Sequence, residues 1–252
     1  MELIKNTLMM NGIEWAVLMF TAMLVGFAKT GIGGVTMLAI PLMATVFGGK
    51  ESTGIILPML IMGDLFAIWI YRKNVLWKNV LTPLPWAVAG ILLGAVIGNL
   101  INDQTFLFFI GVIVLLCLAL LLYGEWKGKN QVVPTKPWFY ISVGILSGFA
   151  SMIGNAAGPI FSLYLLALGL RKNNFMGTNA WFFFMINIIK LPFQIFLWHN
   201  IGLPSLILTP LLIPVITLGA IIGFNVLKKI NEKVFRRIIL AMTLIAAIRI
   251  FL

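Results

Sequence analysis

The polar groups with most chemical potential in this sequence lie inside stretches that are otherwise apolar. Asp64 sits in Ile61-Met62-Gly63-Asp64-Leu65, and Lys190 sits in Asn187-Ile188-Ile189-Lys190-Leu191. A charged side chain in hydrocarbon costs about 2.5–3.5 kcal/mol on insertion scales, so it persists where it pairs, lines water or moves a proton. Asp64 is therefore the candidate coupling group and Lys190 a candidate attractor of anions; a purely structural Asp–Lys pair is the bland alternative. Two glycine-rich interruptions carry the rest of the chemistry. The first is Gly26-Phe27-Ala28-Lys29-Thr30-Gly31-Ile32-Gly33-Gly34-Val35-Thr36, and the second is Gly148-Phe149-Ala150-Ser151-Met152-Ile153-Gly154-Asn155-Ala156-Ala157-Gly158. Each breaks an apolar run, and the helix restarting after a break presents unpaired N–H groups with partial positive charge. Two such starts aimed at one point hold an oxyanion, with Thr30, Thr36 and Asn155 as side-chain donors. Lys29 either draws an anion or snorkels at a helix end. Taken singly, the glycines read as sites of close helix packing; their matched positions favour a binding role.

The elements that must position these groups are ten apolar segments. They are 13–28, 32–47, 53–71, 80–101, 105–123, 138–153, 156–168, 175–198, 203–227 and 234–252. A tilted spanning helix needs about 20 residues. The segments flanking each break fall short of that, so each pair is either a thin spanning hairpin or a re-entrant one. The halves also echo each other. Gly26-Phe27-Ala28 returns as Gly148-Phe149-Ala150, and Leu93-Gly94-Ala95-Val96-Ile97-Gly98 as Leu218-Gly219-Ala220-Ile221-Ile222-Gly223, so the offset runs from 122 to 125. Asp64 then falls near Asn187 and Gly54 near Gly177. Five segments per half is an odd number, so the second half enters from the opposite face, as in carriers built from inverted repeats. The expected architecture is all-α and polytopic: an N-terminal repeat over 1–123, a cytoplasmic linker over 124–137 and an inverted C-terminal repeat over 138–252. Polar residues ahead of the long segments also match. Ser52 and Thr53 read as helix caps, whereas Thr178 and Asn179 lie deeper and are candidate lining.

Composition narrows the class. The 252 residues are 61% hydrophobic and only 10% charged, with a formal net charge of +11; soluble domains carry roughly 25% charged residues. The basic excess lies in short loops, which points to membrane orientation and away from nucleic acid. Setting Lys190 aside, Lys5, Lys50 and Arg249 fall on one side and the other fourteen Lys and Arg on the opposite, so the basic side is expected in the cytoplasm and both termini outside. The first apolar run has no cleavage site after it and reads as a retained segment. Cys117 is the only cysteine, which leaves no internal disulfide and no sulfur relay. The lone His199 reads as interfacial. No paired histidines and no nucleophile–base set suggest an enzyme, and no metal or cofactor is expected.

The breaks, above all Lys29-Thr30-Gly31-Ile32-Gly33-Gly34 and Gly154-Asn155-Ala156-Ala157-Gly158-Pro159, together with the chain length, resemble the sulfite exporter TauE/SafE family of the 4-toluenesulfonate uptake permease group. The family often has three glycines in its break; here Val35 follows Gly33-Gly34, and Asn155, Ala156 and Ala157 replace most glycines of the second. The resemblance implies transport of sulfite, sulfonates or related organosulfur anions across the inner membrane; the inverted repeat points to a secondary transporter working by alternating access, and Asp64 makes protons the candidate coupling ion. A passive anion channel is the alternative. The residues expected to bind substrate are Lys29, Thr30, Gly31, Gly33, Gly34, Gly154, Asn155, Gly158, Thr178, Asn179, Asn187 and Lys190, with Asp64 for coupling. The expected partners are a small anionic solute and the lipid bilayer, with a homodimer as one assembly.

Overall fold

A computed structural model describes residues 10–33, 35–98, 100 and 137–251. Those residues form ten helices: α1 Gly12–Thr30, α2 Thr36–Phe47, α3 Gly49–Tyr71, α4 Trp77–Leu81, α5 Leu84–Ile97, α6 Pro137–Gly154, α7 Gly158–Ala167, α8 Lys172–Phe196, α9 Leu203–Lys229 and α10 Glu232–Phe251. The expected segment 105–123, most of the linker 124–137, Cys117 and Gly34 lie outside the described residues.

The protein is an all-α polytopic membrane protein. Among the described residues, six helical stretches, including α4 and α5 taken together, are long and apolar enough to cross a bilayer. Large apolar side chains stand on the outside, among them Trp69, Trp138, Phe196, Val96 and Leu203, as lipid contact requires. The helices α2 and α7 have 12 and 10 residues, which at 1.5 Å per residue gives lengths of roughly 18 and 15 Å. Each covers about half of a hydrocarbon core of ~30 Å. The segment expected as one helix over 80–101 is divided by a turn at Thr82-Pro83, with Pro85 in the first turn of α5. Proline lacks the N–H that a continuous ladder needs. The short second segment also begins later than expected, at Thr36, because Gly31, Ile32, Gly33 and Val35 are not helical.

Local sequence sets the ends. At the start of α1, Glu14 N–H donates to Asn11 Oδ1 (2.9 Å) and Asn11 N–H to Glu14 Oε2 (2.8 Å), a reciprocal capping box. Ser52 and Thr53 are not caps: α3 begins earlier, at Gly49, and both lie in its first turns. The Thr53 hydroxyl donates to Lys50 O and accepts from Asn200 Nδ2 at 2.9 Å, which ties the loop after α8 to the start of α3.

Packing reveals how the helices run. A Cβ on Gly54 of α3 would lie 1.9 Å from Asn200 O, beyond the end of α8, and one on Gly177 of α8 would lie 2.9 Å from Tyr71 O and Asn74 C, at the end of α3. The start of each long helix therefore sits against the end of the other, so α3 and α8 are antiparallel. The helices α1 and α9 instead advance together. A Cβ on Gly26 would meet Ile216 O at 2.0 Å, one on Gly219 would meet Met23 O at 2.1 Å, and one on Gly223 would meet Phe27 O at 2.4 Å. The pair α5 and α6 repeats this parallel contact, with Gly144 against Pro83 O at 2.4 Å, Gly148 against Ala87 O at 1.9 Å and Gly94 against Met152 Cβ at 3.0 Å. Only residues without a Cβ let backbones approach this closely, as small-residue interfaces in membranes do.

Candidate functional site

The two breaks meet. Gly33 from the first and Asn155 from the second line a single cavity, together with Lys29, Thr36, Gly158, Ser162, Asn179, Asn187 and Lys190 and the apolar side chains of Ala28, Leu60 and Phe183. The starts of both short helices, at Thr36 and Gly158, face this space. Neither Val35 nor Ala157, the residues before them, makes a side-chain cap bond, so the first N–H groups of α2 and α7 are left for solvent or solute. Pro159 has no N–H, which concentrates the donors of α7 at Gly158 and Ile160.

Among the described residues, three charged side chains are arranged around the cavity. Asp64 is fully buried and is held from two sides: Lys29 Nζ lies 2.7 Å from Oδ1, and Asn187 Nδ2 donates to Oδ2 at 2.7 Å. The same Lys29 ammonium stands 4.5 Å from the centre of the Phe183 ring, a cation–π contact. Lys190, also fully buried, donates to Ser151 O at 3.0 Å, to Ser151 Oγ at 3.1 Å and to Asn155 Oδ1. Three acceptors satisfy the three N–H bonds of an ammonium, and none of the three carries charge. To reach Lys190, Asn155 adopts φ +54°, a left-handed conformation that asparagine tolerates better than most residues. Its Nδ2 and the Oδ1 of Asn179 are buried without hydrogen-bond partners.

The internal repeat expresses itself in this geometry. Asp64 and Asn187, equivalent by the sequence offset, are hydrogen-bonded to each other. Gly33 and Asn155 occupy matching places on the wall, as do Lys29 and Ser151, Thr36 and Gly158, and Leu60 and Phe183.

Of the expected site residues, Lys29, Gly33, Asn155, Gly158, Asn179, Asn187 and Lys190 line the cavity, and Asp64 lies directly behind it. Four do not line it. Thr30 turns away, its hydroxyl donating to Ala220 O at 2.7 Å and Gly26 O at 3.1 Å. Gly31 is pressed on Gly223, where a Cβ would come within 2.7 Å of the neighbouring backbone. Both serve the α1–α9 contact. Thr178 accepts from Leu76 N–H at 3.1 Å and secures the loop before α4. Gly154 ends α6 buried behind the wall. Gly34 is outside the described residues. The Asp–Lys pair exists, but Lys29 is the partner that touches Asp64.

Ser151, Ser162 and Phe183 were not foreseen as lining. Phe183 had a readable signal: Asn179, Phe183, Asn187 and Lys190 fall at i, i+4, i+8 and i+11, one face of a helix. Ser162 lies one turn after Gly158 on the same face of α7.

No curated relative and no solved structure is significantly similar to the chain. Residues 18–250 match the family described as Sulfite exporter TauE/SafE. That match spans both breaks, both antiparallel long helices and every residue of the cavity, and by it the chain belongs to the sulfite exporter TauE/SafE family of membrane transporters.

Proposed function

We propose that the protein is a secondary transporter that moves small sulfur-containing oxyanions, sulfite or short sulfonates, across the inner membrane by alternating access. The observation that carries this reading is the convergence of two interrupted hairpins on a cavity containing Lys190, whose ammonium is held only by neutral acceptors. Uncapped helix starts at Thr36 and Gly158 supply further donors suited to an oxyanion. The antiparallel course of α3 and α8 supports two inverted halves, 1–123 and 138–252, joined by the linker 124–137. Broken half-length helices at a repeat interface are a common build for carriers. With Lys29 taken up by Asp64, the loop charges still stand at thirteen to three, which supports a cytoplasmic basic side and external termini. Asp64, fully buried and touching both Lys29 and Asn187, is the group we assign to proton coupling.

Purified protein in proteoliposomes tests this directly. Radiolabelled sulfite and short sulfonates should enter saturably and be displaced by unlabelled anion on the far side. Flux that rises linearly without saturation would move the assignment to a passive channel. A pH gradient should change the initial rate, and identical rates with and without it would remove Asp64 as the coupling group.

A further inference from the structure

We propose that the site selects its substrate by charge count and takes anions bearing one negative charge over dianions of the same shape. This deepens the carrier reading above and rests on it. Among the described residues, three ionisable side chains face or back the cavity: two lysines and one aspartate. The Lys29–Asp64 contact at 2.7 Å closes one pair, and the second oxygen of Asp64 is taken by Asn187. That leaves Lys190, whose three contacts are a carbonyl, a hydroxyl and an amide oxygen. With both lysines protonated and Asp64 ionised, the described residues of the site carry one uncompensated positive charge. All three charged side chains are almost fully removed from solvent, so little screening is available and each unmatched charge is costly. A monoanion brings the occupied site to neutrality. A dianion overshoots by one, and a neutral solute leaves Lys190 without a counter-charge.

The neutral parts of the wall agree with a singly charged head on a short organic body. Asn155 Nδ2 is a buried donor without a partner, placed beside Lys190 where an anionic oxygen would sit. Phe183, Leu60 and Ala28 supply an apolar flank on the same cavity. Among the described residues, nothing in this arrangement offers a second cationic group to a second anionic head, because Lys29 is already engaged by Asp64.

The charge count makes a reversible prediction. Sulfoacetate, a dianion at neutral pH, and its amide, a near-isosteric monoanion, would be compared in proteoliposomes holding the full chain. The wild type should favour the amide by about tenfold or more in kcat/KM, tenfold being the effect of a modest 1.4 kcal/mol. Asp64→Asn raises the site to two positive charges and should shift the ratio toward sulfoacetate by a similar factor. Adding Lys29→Gln to Asp64→Asn returns the count to one and should restore preference for the amide, whatever the absolute rate. An unchanged ratio in Asp64→Asn, or equal handling of both compounds by the wild type, overturns the charge rule. If Asp64→Asn fails to insert, Lys190→Gln decides: loss of the amide's advantage supports the rule and its retention refutes it. Saturable uptake of either compound leaves the carrier reading standing even when the ratio refutes the charge rule, whereas no saturable uptake of any anion overturns both.

Discussion

The glycines divide into two sets that substitution should separate. Gly26 and Gly148 sit where helices touch backbone to backbone: an added Cβ would lie 2.0 Å from Ile216 O in one case and 1.9 Å from Ala87 O in the other. A carbon and a carbonyl oxygen need roughly 3.3 Å, near the lower limit of ordinary contact, so α1 and α9, or α5 and α6, must part by more than about 1 Å to admit one methyl. Overpacking of this kind costs about 1–3 kcal/mol, and more where only backbone stands in the way. Gly33 and Gly158 are different. A Cβ on Gly33 would meet Ser162 Oγ at 3.7 Å and one on Gly158 would meet nothing within 4 Å, and neither has a positive φ. Alanine therefore fits both without strain while intruding on the cavity. Thermal unfolding of purified protein, followed by tryptophan fluorescence, should show Gly26→Ala and Gly148→Ala unfolding several degrees below wild type, at ~2–4 °C per kcal/mol for a chain of this size. Gly33→Ala and Gly158→Ala should unfold within a degree or two of wild type but transport with altered KM. Equal destabilisation by all four, or a neutral Gly26→Ala, would refute the division between packing and lining.

Four further substitutions probe the supports of the site. Tyr71→Phe removes the hydroxyl that donates to Thr30 O at 2.6 Å, between the ends of α3 and α1; about 1 kcal/mol of stability should be lost, readable as a lower unfolding temperature. Asn155→Gly relieves the left-handed backbone but takes an acceptor from Lys190, so the fold should hold while anion affinity changes. Asn155→Ala adds backbone strain of about 1 kcal/mol to the same loss and should be the less stable of the two. Asn187→Leu leaves Asp64 Oδ2 buried without its donor, which should cost about 1–3 kcal/mol in unfolding assays; an Asn187→Leu protein as stable as wild type would show that Asp64 finds another partner.

The breaks, the intramembrane charges and the Asp64–Asn187 equivalence were legible because each violates a strong local rule: glycine inside an apolar run, or charge inside hydrocarbon. The pairing of those charges was not. Asp64 and Lys190 both lie mid-segment in the long helices, so sequence position alone brings them together. What decides the contact is the rotation of α1 against α3. Gly63, next to Asp64, leaves room for the stem of Lys29, whose Cγ would come within 3.0 Å of a Cβ there. That pocket for a side-chain stem exists only once the two helices are packed, and no periodicity in either segment announces it. Thr30 and Gly31 were misplaced for a related reason. They look like part of the break, yet α9 covers them, and that contact is made by Ala220 and Gly223, nearly two hundred residues later.

Ser162 and Phe183 escaped notice because their repeat counterparts, Ile40 and Leu60, are apolar and unremarked. The internal symmetry specifies a frame, and the chemistry lies where the two halves depart from it. Ser151 stands where the other half has Lys29, Asn187 where it has Asp64, and Lys190 where it has Ala67. If both halves carried the Lys–Asp pair, and Lys190 were an alanine like its counterpart Ala67, every charge would be matched and the cavity would be neutral. With one pair and one extra lysine it is not. A two-fold frame can hold a solute between equivalent walls, but only a broken symmetry leaves Lys190 with three neutral acceptors and a charge to be met by something that enters.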